Sequence, residues 1–335
     1  MHKIAIPARM WYENQEQTLT FPDRWQVDNL NSPGFDKPAL SAQAIADRID
    51  HPVEGPTLTE AAQGRKQAVI VFDDMTRPTP VKDIAPHVLA RLHEAGMERS
   101  QIRFLWGLGS HGTYDMTINQ FHNQLYRNPA SGGLGNYQDN ILRPECEAAA
   151  EMAGLNFKID VLVNRRGEIT DLWNGPCRKV FEAGLKEALE HYGVPYSVDY
   201  DIAVCNTYAK ANESVISLAL GLRVIKRGGG TAVLMSDVPE GQVPHYVFRS
   251  WGSDYGGRQY NPRQPGFMPR FLKKLIVVSP QPDRTSLDMI CHNDDAVFVK
   301  TWPEALRMLE EEYPGPARVG VLQDGTMQYM KAEGA

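Results

Sequence analysis

Short apolar runs alternate with amphipathic stretches along most of the chain, and that alternation restricts the fold to βαβ units around a largely parallel sheet. The clearest early strand is Ala68–Phe72, a continuous β-branched run of the kind buried on both faces. After it, Val81, Ile84, Val88, Leu89 and Leu92 recur at helical spacing, with Gly96 as the stop. A second strand is predicted over Ile102–Trp106. Residues 113–140 then break the rhythm, rich in Asn, Gln, Gly and Pro. The pattern resumes with a helix over Glu145–Ala153, a strand over Phe157–Asn164 and a helix over Arg178–Tyr192.

The stretch Gly193–Ser197 is the expected domain boundary, giving an N-terminal domain over 1–192 and a C-terminal α/β domain over 193–335. Beyond it, strands are expected at Tyr200–Cys205, Thr231–Met235, Lys274–Ser279, Ala296–Val299 and Arg318–Leu322. Helices are expected at Glu213–Leu222 and Pro303–Glu312. The expected architecture is α/β, with two domains, each a mainly parallel sheet flanked by helices. A chain of 335 residues with 42% hydrophobic and 23% charged residues has the length and composition for two such cores.

Net charge is −6 and no basic stripe is present, which argues against nucleic acid as a partner. Cys146, Cys177, Cys205 and Cys291 are widely spaced and form no CxxC pair, the pattern of free thiols in a reducing compartment. The N-terminus is too short and polar for a signal peptide, and no apolar run is long enough to span a bilayer. A cytoplasmic location is expected.

In open α/β sheets ligands bind beyond the carboxyl ends of the strands, so polar residues following a strand are the candidates. Three clusters qualify. Asp73-Asp74-Met75-Thr76-Arg77-Pro78-Thr79-Pro80 packs carboxylates, a hydroxyl and an arginine before a helix, a natural anion site or, equally, a capped turn with a local ion pair. Gly107-Leu108-Gly109-Ser110-His111-Gly112 offers close backbone approach and an imidazole that exchanges protons near neutral pH. A lone loop histidine is more often a surface residue, and the full dinucleotide fingerprint is absent, which argues against a nicotinamide dehydrogenase. The third, Asn206 to Glu213, presents Lys210, Asn212 and Glu213; an ordinary loop with Asn212 capping the next helix fits it equally well.

These clusters resemble the lactate racemase family. Asp74-Met75-Thr76-Arg77-Pro78 is similar to its most specific signature, and Gly109-Ser110-His111 stands where the family has its first catalytic histidine. Ala44–Pro52, Asp201–Val204, Arg227–Thr231 and Ala317–Gly325 are similar to its flanking regions. The resemblance implies an isomerase, a racemase or epimerase of 2-hydroxy acids. It would use a nickel-pincer nucleotide (nickel pyridinium-3,5-bisthiocarboxylate mononucleotide) that takes and returns a hydride, with the active site in the cleft between the domains. It assigns proton transfer to His111, with Arg77 as a catalytic group that also binds the cofactor alongside Asp74 and Thr76. Cofactor-building enzymes are the implied partners, with a small-molecule substrate and neither nucleic acid nor membrane.

The sequence departs from the family between Thr117 and Gln120, where relatives carry dozens more residues, including a second catalytic histidine, a Gly-Gly-x-Lys tether and a nickel-binding histidine. His122 is the residue that resembles the metal histidine at the far edge of this gap. Loss of an internal strand and helix should leave apolar faces uncovered nearby. Either a stretch belonging at 117–120 is missing from this sequence, or the chain is a shortened relative that binds an anion or nucleotide without catalysis. Ser217 and Leu220 occupy positions where the family places a glutamine and a lysine on lactate. Lys210, Asn212 and Glu213 remain as substrate groups, pointing to a 2-hydroxy acid other than lactate, larger and more hydroxylated. His245, Trp251 and Gly256-Gly257 are candidates for the opposite wall.

Overall fold

The computed structural model describes residues 1–10, 14–73, 77–107, 142–239, 241–242, 270–282 and 296–331. They divide into two compact units: Met1–Ser32 with Tyr192–Ala335, and Pro33–His191. The first unit is therefore discontinuous in sequence.

In the discontinuous unit, an antiparallel hairpin of β1 (His2–Ala8) and β2 (Gln15–Phe21) precedes β3 (Gln26–Leu30). In the other unit come α1 (Ala42–Ile49), α2 (Leu58–Ala62), β4 (Ala68–Asp73), α3 (Val81–Glu94), β5 (Ile102–Gly107) and α4 (Leu142–Met152). It continues with β6 (Lys158–Val163), β7 (Ile169–Gly175) and α5 (Cys177–Tyr192). The chain then returns to the first unit through β8 (Gly193–Pro195), β9 (Ile202–Asn206), α6 (Val215–Val224), β10 (Gly230–Met235) and β11 (Leu272–Val278). Last come β12 (Ala296–Val299), α7 (Trp302–Glu312), β13 (Arg318–Leu322) and β14 (Tyr329–Lys331).

The main sheet of the discontinuous unit has the order β12-β11-β10-β9-β13-β3, and every pairing in it is parallel. Strands β9 and β10 are buried along their whole length, as expected for a parallel sheet covered on both faces. One face packs Ala203, Cys205, Ala232 and Leu234 against Leu218, Leu220 and Val224 of α6. The other packs Ile202, Val204, Val233 and Val321 against Trp302, Ala305 and Leu309 of α7 and against Ile6, Leu19 and Phe21 of the hairpin. Helix α7 begins at a capping box, Thr301 with Glu304, which satisfies the N–H groups that a helix start leaves unpaired.

In the other unit, α1, α2 and α3 pack Ile45, Ile49, Leu58, Ile84, Val88 and Leu92 against Ala68, Ile70 and Ile102 of the β4–β5 pair and against Ile169 and Leu172 of β7. The β4–β5 pair is parallel, and β6–β7 is an antiparallel hairpin. The second face of the β4–β5 pair is open: Val69, Val71 and Leu105 are 57%, 61% and 55% exposed. A β-branched strand pair does not ordinarily show this much apolar surface to water.

His191 closes this unit from inside. Its ring is fully buried, with Nε2 2.9 Å from the Val163 carbonyl oxygen, so Nε2 carries the proton. A Cβ at Gly34 would lie 2.1 Å from the ring, which fixes glycine at that position. Burial pushes the His191 pKa below 6.5, opposed by the Val163 carbonyl; Lys37 lowers it further and Asp171 raises it. The unfolded chain therefore binds this proton more readily than the fold does. Stability from this group is complete above about pH 6.5 and is lost as pH falls through the lower folded value. Urea midpoints between pH 7.5 and 5 should show this fall, and His191→Gln should flatten it. A wild-type midpoint independent of pH across that range would refute the assignment.

Candidate active site

Chain connections in the parallel sheet set the position of the site. From β9 the chain steps outward through α6 to β10 and on to β11 and β12; from β12 it returns through α7 to β13, on the other side of β9. The order thus reverses between β9 and β13, and the crevice at such a switch point is where open α/β sheets bind ligands.

Four segments meet there. Asn206, buried at the end of β9, donates from Nδ2 to the carbonyls of Pro7 (2.8 Å) and Gln323 (2.7 Å), tying β9 to the hairpin and to the end of β13. Thr207 Oγ1 donates to the Met235 carbonyl, joining β9 to β10. Tyr208 Oη donates to Asn14 Oδ1 at 2.5 Å, and Arg9 Nε lies 3.6 Å from Asp237 Oδ2, so the residues flanking the hairpin turn reach the ends of β9 and β10. Arg9 (φ 56°) and Asn14 (φ 44°) both take up left-handed backbone, an unfavourable conformation for arginine in particular.

Asp324, directly after β13, is the anchor of the cluster. Its carboxylate is buried and accepts from Tyr208 N (3.2 Å), Ala209 N (3.0 Å), Thr326 N (3.0 Å) and Thr326 Oγ1 (2.5 Å). Burial pushes its pKa up, against the lowering effect of these donors. Successive N–H groups at a strand end make an anion nest, and here the chain's own carboxylate fills it. An external anion at this strand end needs another partner, and Lys210 is the adjacent cation.

Lys210 is half-buried at the end of this loop, and its backbone N–H donates to Thr326 Oγ1. Asn212 is half-buried and Glu213 buried within a 3₁₀ turn, Ala211–Glu213. The structure thus brings Lys210, Asn212 and Glu213 together at one strand end. Ser214, rather than Asn212, precedes α6, and it makes no side-chain cap. Gln242 fastens this turn to β10: it donates to the Ala211 carbonyl and to Ser236 Oγ, and accepts from Ser214 N. Asn212 Oδ1 and Asp237 Oδ1 are buried without a hydrogen-bond donor among the described residues. Ser217 and Leu220 are core residues; Ser217 Oγ donates to the Asn206 carbonyl.

In the other unit, Thr79 Oγ1 donates to Asp73 Oδ2 at 2.5 Å across the turn after β4, and Arg77 is half-buried within it. Asp74, Thr76, His111, His122, His245 and Trp251 lie outside the described residues. Among the described residues no three His, Cys, Asp or Glu side chains group as a metal site, and no helix is long and apolar enough to cross a membrane. Cys146, Cys177 and Cys205 are free thiols, Cys205 buried with its pKa pushed up to about 12.

Residues 12–167 match the family model of the lactate racemase N-terminal domain. The lactate racemase of Lactiplantibacillus plantarum is 32% identical over 92 residues, 27% of this chain and about a fifth (22%) of that protein's length. The lactate racemase apoprotein from Thermoanaerobacterium thermosaccharolyticum shares the fold, with a TM-score of 0.67 at 15% identity over 98% of this chain and 100% of that one. A crystal structure of a Thermotoga maritima protein aligns with a TM-score of 0.50 at 10% identity, over 88% of this chain and 99% of that one. At these identities the structural likeness speaks for the fold alone. The N-terminal family model, the curated relative and the shared α/β fold thus agree that the chain is similar to the lactate racemase-like family, with residues 12–167 matching its N-terminal domain.

Proposed function

We propose that the protein is a racemase or epimerase of a 2-hydroxy acid larger than lactate. The observation that carries the substrate half of this reading is the strand-end cluster of Lys210, Asn212 and Glu213 at the switch point between β9 and β13. Lys210 holds the substrate carboxylate, since Asp324 already occupies the adjacent N–H nest. The unpaired Asn212 Oδ1 and Asp237 Oδ1 favour a substrate that brings hydroxyl hydrogens, because a buried acceptor left without a donor costs roughly 1–3 kcal/mol. Ser217 and Leu220, turned into the core, offer nothing to lactate. His111 takes and returns the hydroxyl proton, the general acid–base work suited to imidazole. Calorimetric titration with four- to six-carbon 2-hydroxy acids should show binding that Lys210→Ala weakens about tenfold or more. Equal affinity in the variant would remove Lys210 from the site.

The resident group of the family is a nickel-pincer nucleotide, and this sequence does not fit its attachment. No lysine stands in a Gly-Gly-x-Lys context in the 335 residues. The missing tether supports a second reading, a catalytically incomplete relative that binds an anion or nucleotide. Protein produced alongside the cofactor-building enzymes separates the two. Nickel and a mass above 37.5 kDa after denaturation support the racemase, with Asp74, Thr76 and Arg77 binding the nucleotide and His122 the metal. An unmodified mass without nickel supports the incomplete relative.

A further inference from the structure

We propose that Asp324 and Thr326, on the loop after β13, are positioning residues for the β9 loop that carries Lys210, Asn212 and Glu213. The inference rests on the substrate role proposed for that loop.

The contacts form a relay. Thr326 Oγ1 donates to Asp324 Oδ1 at 2.5 Å and accepts from Lys210 N at 3.1 Å. Asp324 accepts the N–H groups of Tyr208 and Ala209, the two residues before Lys210. Three consecutive amides of the loop therefore terminate on two side chains of a different strand end. Those side chains are themselves fixed. Asp324 N donates to Gln328 Oε1 (3.2 Å), Gln328 Nε2 donates to the Leu30 carbonyl (2.6 Å), and Gly325 N donates to the Asn206 carbonyl (3.0 Å). Asp324 and Thr326 are 1% and 6% exposed, so water does not replace these bonds cheaply.

A loop that bears a substrate cation needs such support, because a misplacement of about 1 Å is enough to lose most of an oriented contact. Backbone amides held from a second strand end locate the Lys210 Cα without touching its ammonium group. The relay therefore sets where the side chain starts. It also explains why a buried carboxylate stands at the end of β13, where an apolar residue would leave three N–H groups unpaired.

Asp324→Asn puts an amide donor against N–H donors and is expected to impair folding, so Thr326→Val, with similar shape and no hydroxyl, is the informative change. In the full-length protein assayed with a turned-over 2-hydroxy acid, Thr326→Val should raise KM about tenfold with kcat within about twofold. Thr326→Ser should restore the wild-type value. Adding Thr326→Val to Lys210→Ala should cost nothing further, because both act through one side chain. An unchanged KM in Thr326→Val, or costs that simply add in the double variant, would overturn the proposal. Amide exchange supplies a readout independent of substrate: exchange at Lys210 should rise in Thr326→Val and not in Thr326→Ser, with β10 unaffected. If the wild type turns over no 2-hydroxy acid, the functional reading fails, and unchanged exchange at Lys210 would still overturn the relay.

Discussion

Gly325→Ala is expected to cost about 3 kcal/mol of stability and to displace the proposed substrate loop with it. A Cβ at Gly325 would lie 2.2 Å from Ser217 Oγ and 2.9 Å from both the Cα and Cβ of Ser217. Rotating the serine relieves the first overlap only; the second is with the backbone of α6. Neither side yields easily. Ser217 is fully buried and donates to the Asn206 carbonyl at 2.7 Å, while Gly325 donates to the same oxygen at 3.0 Å. Gly315→Ala is the matched control, since a Cβ there meets nothing within 4 Å. Urea denaturation should show the Gly325 variant several molar tenths or more below the control. Equal midpoints would mean that the loop after β13 does not press on α6.

His111→Ala is expected to lower turnover of the 2-hydroxy acid by roughly 10²–10⁴-fold, the range that positioned acid–base groups contribute. Substrate affinity should change little, because binding is assigned to Lys210, Asn212 and Glu213. Far-ultraviolet circular dichroism should be unaltered. A variant that retains full kcat would take the proton-transfer role away from this histidine.

Much of the parallel sheet was legible in the sequence because a strand buried on both faces is a continuous apolar run. Ile202–Asn206, Gly230–Met235, Leu272–Val278, Ala296–Val299 and Arg318–Leu322 fall within two residues of the expected spans. The expected helix at Glu213 begins two residues later, after the 3₁₀ turn. The hairpin β1–β2 was not legible in the same way. Gln15-Glu16-Gln17-Thr18-Leu19-Thr20-Phe21 buries Leu19 and Phe21 while its other residues are exposed or only partly covered, so no apolar run marks it; the alternation itself was the signal. Pro7 adds to the difficulty, being tolerated because among the described residues β1 pairs only with β2. Strand β7 was hidden behind Asn164-Arg165-Arg166-Gly167, which reads as a loop; the left-handed Gly167 (φ 71°) makes it a hairpin turn.

The site was partly legible. The rule that ligands meet strand ends singles out Lys210, Asn212 and Glu213, which lie at a 3₁₀ turn after β9 and whose substrate role is proposed. It applied equally to Gln323-Asp324-Gly325 after β13, but the contact of that end with the β9 loop depends on strand order, which sequence does not display. Asp324 became visible only once β13 was seen beside β9. The residues implied for proton transfer and for the nucleotide, His111, His122, Asp74 and Thr76, lie outside the described residues and rest on the resemblance.

The proposed activity is inversion at the carbinol carbon of a hydroxylated 2-hydroxy acid. The direct measurement is chiral chromatography of single-enantiomer 2-hydroxy acids, from lactate to six-carbon polyhydroxy acids, incubated with protein produced alongside its cofactor-building enzymes. The prediction is inversion at C2 of a polyhydroxylated acid, faster than that of lactate and lost in His111→Ala. No inversion of any acid, by protein shown by calorimetry to bind one, would contradict the claim and leave a binding relative in its place.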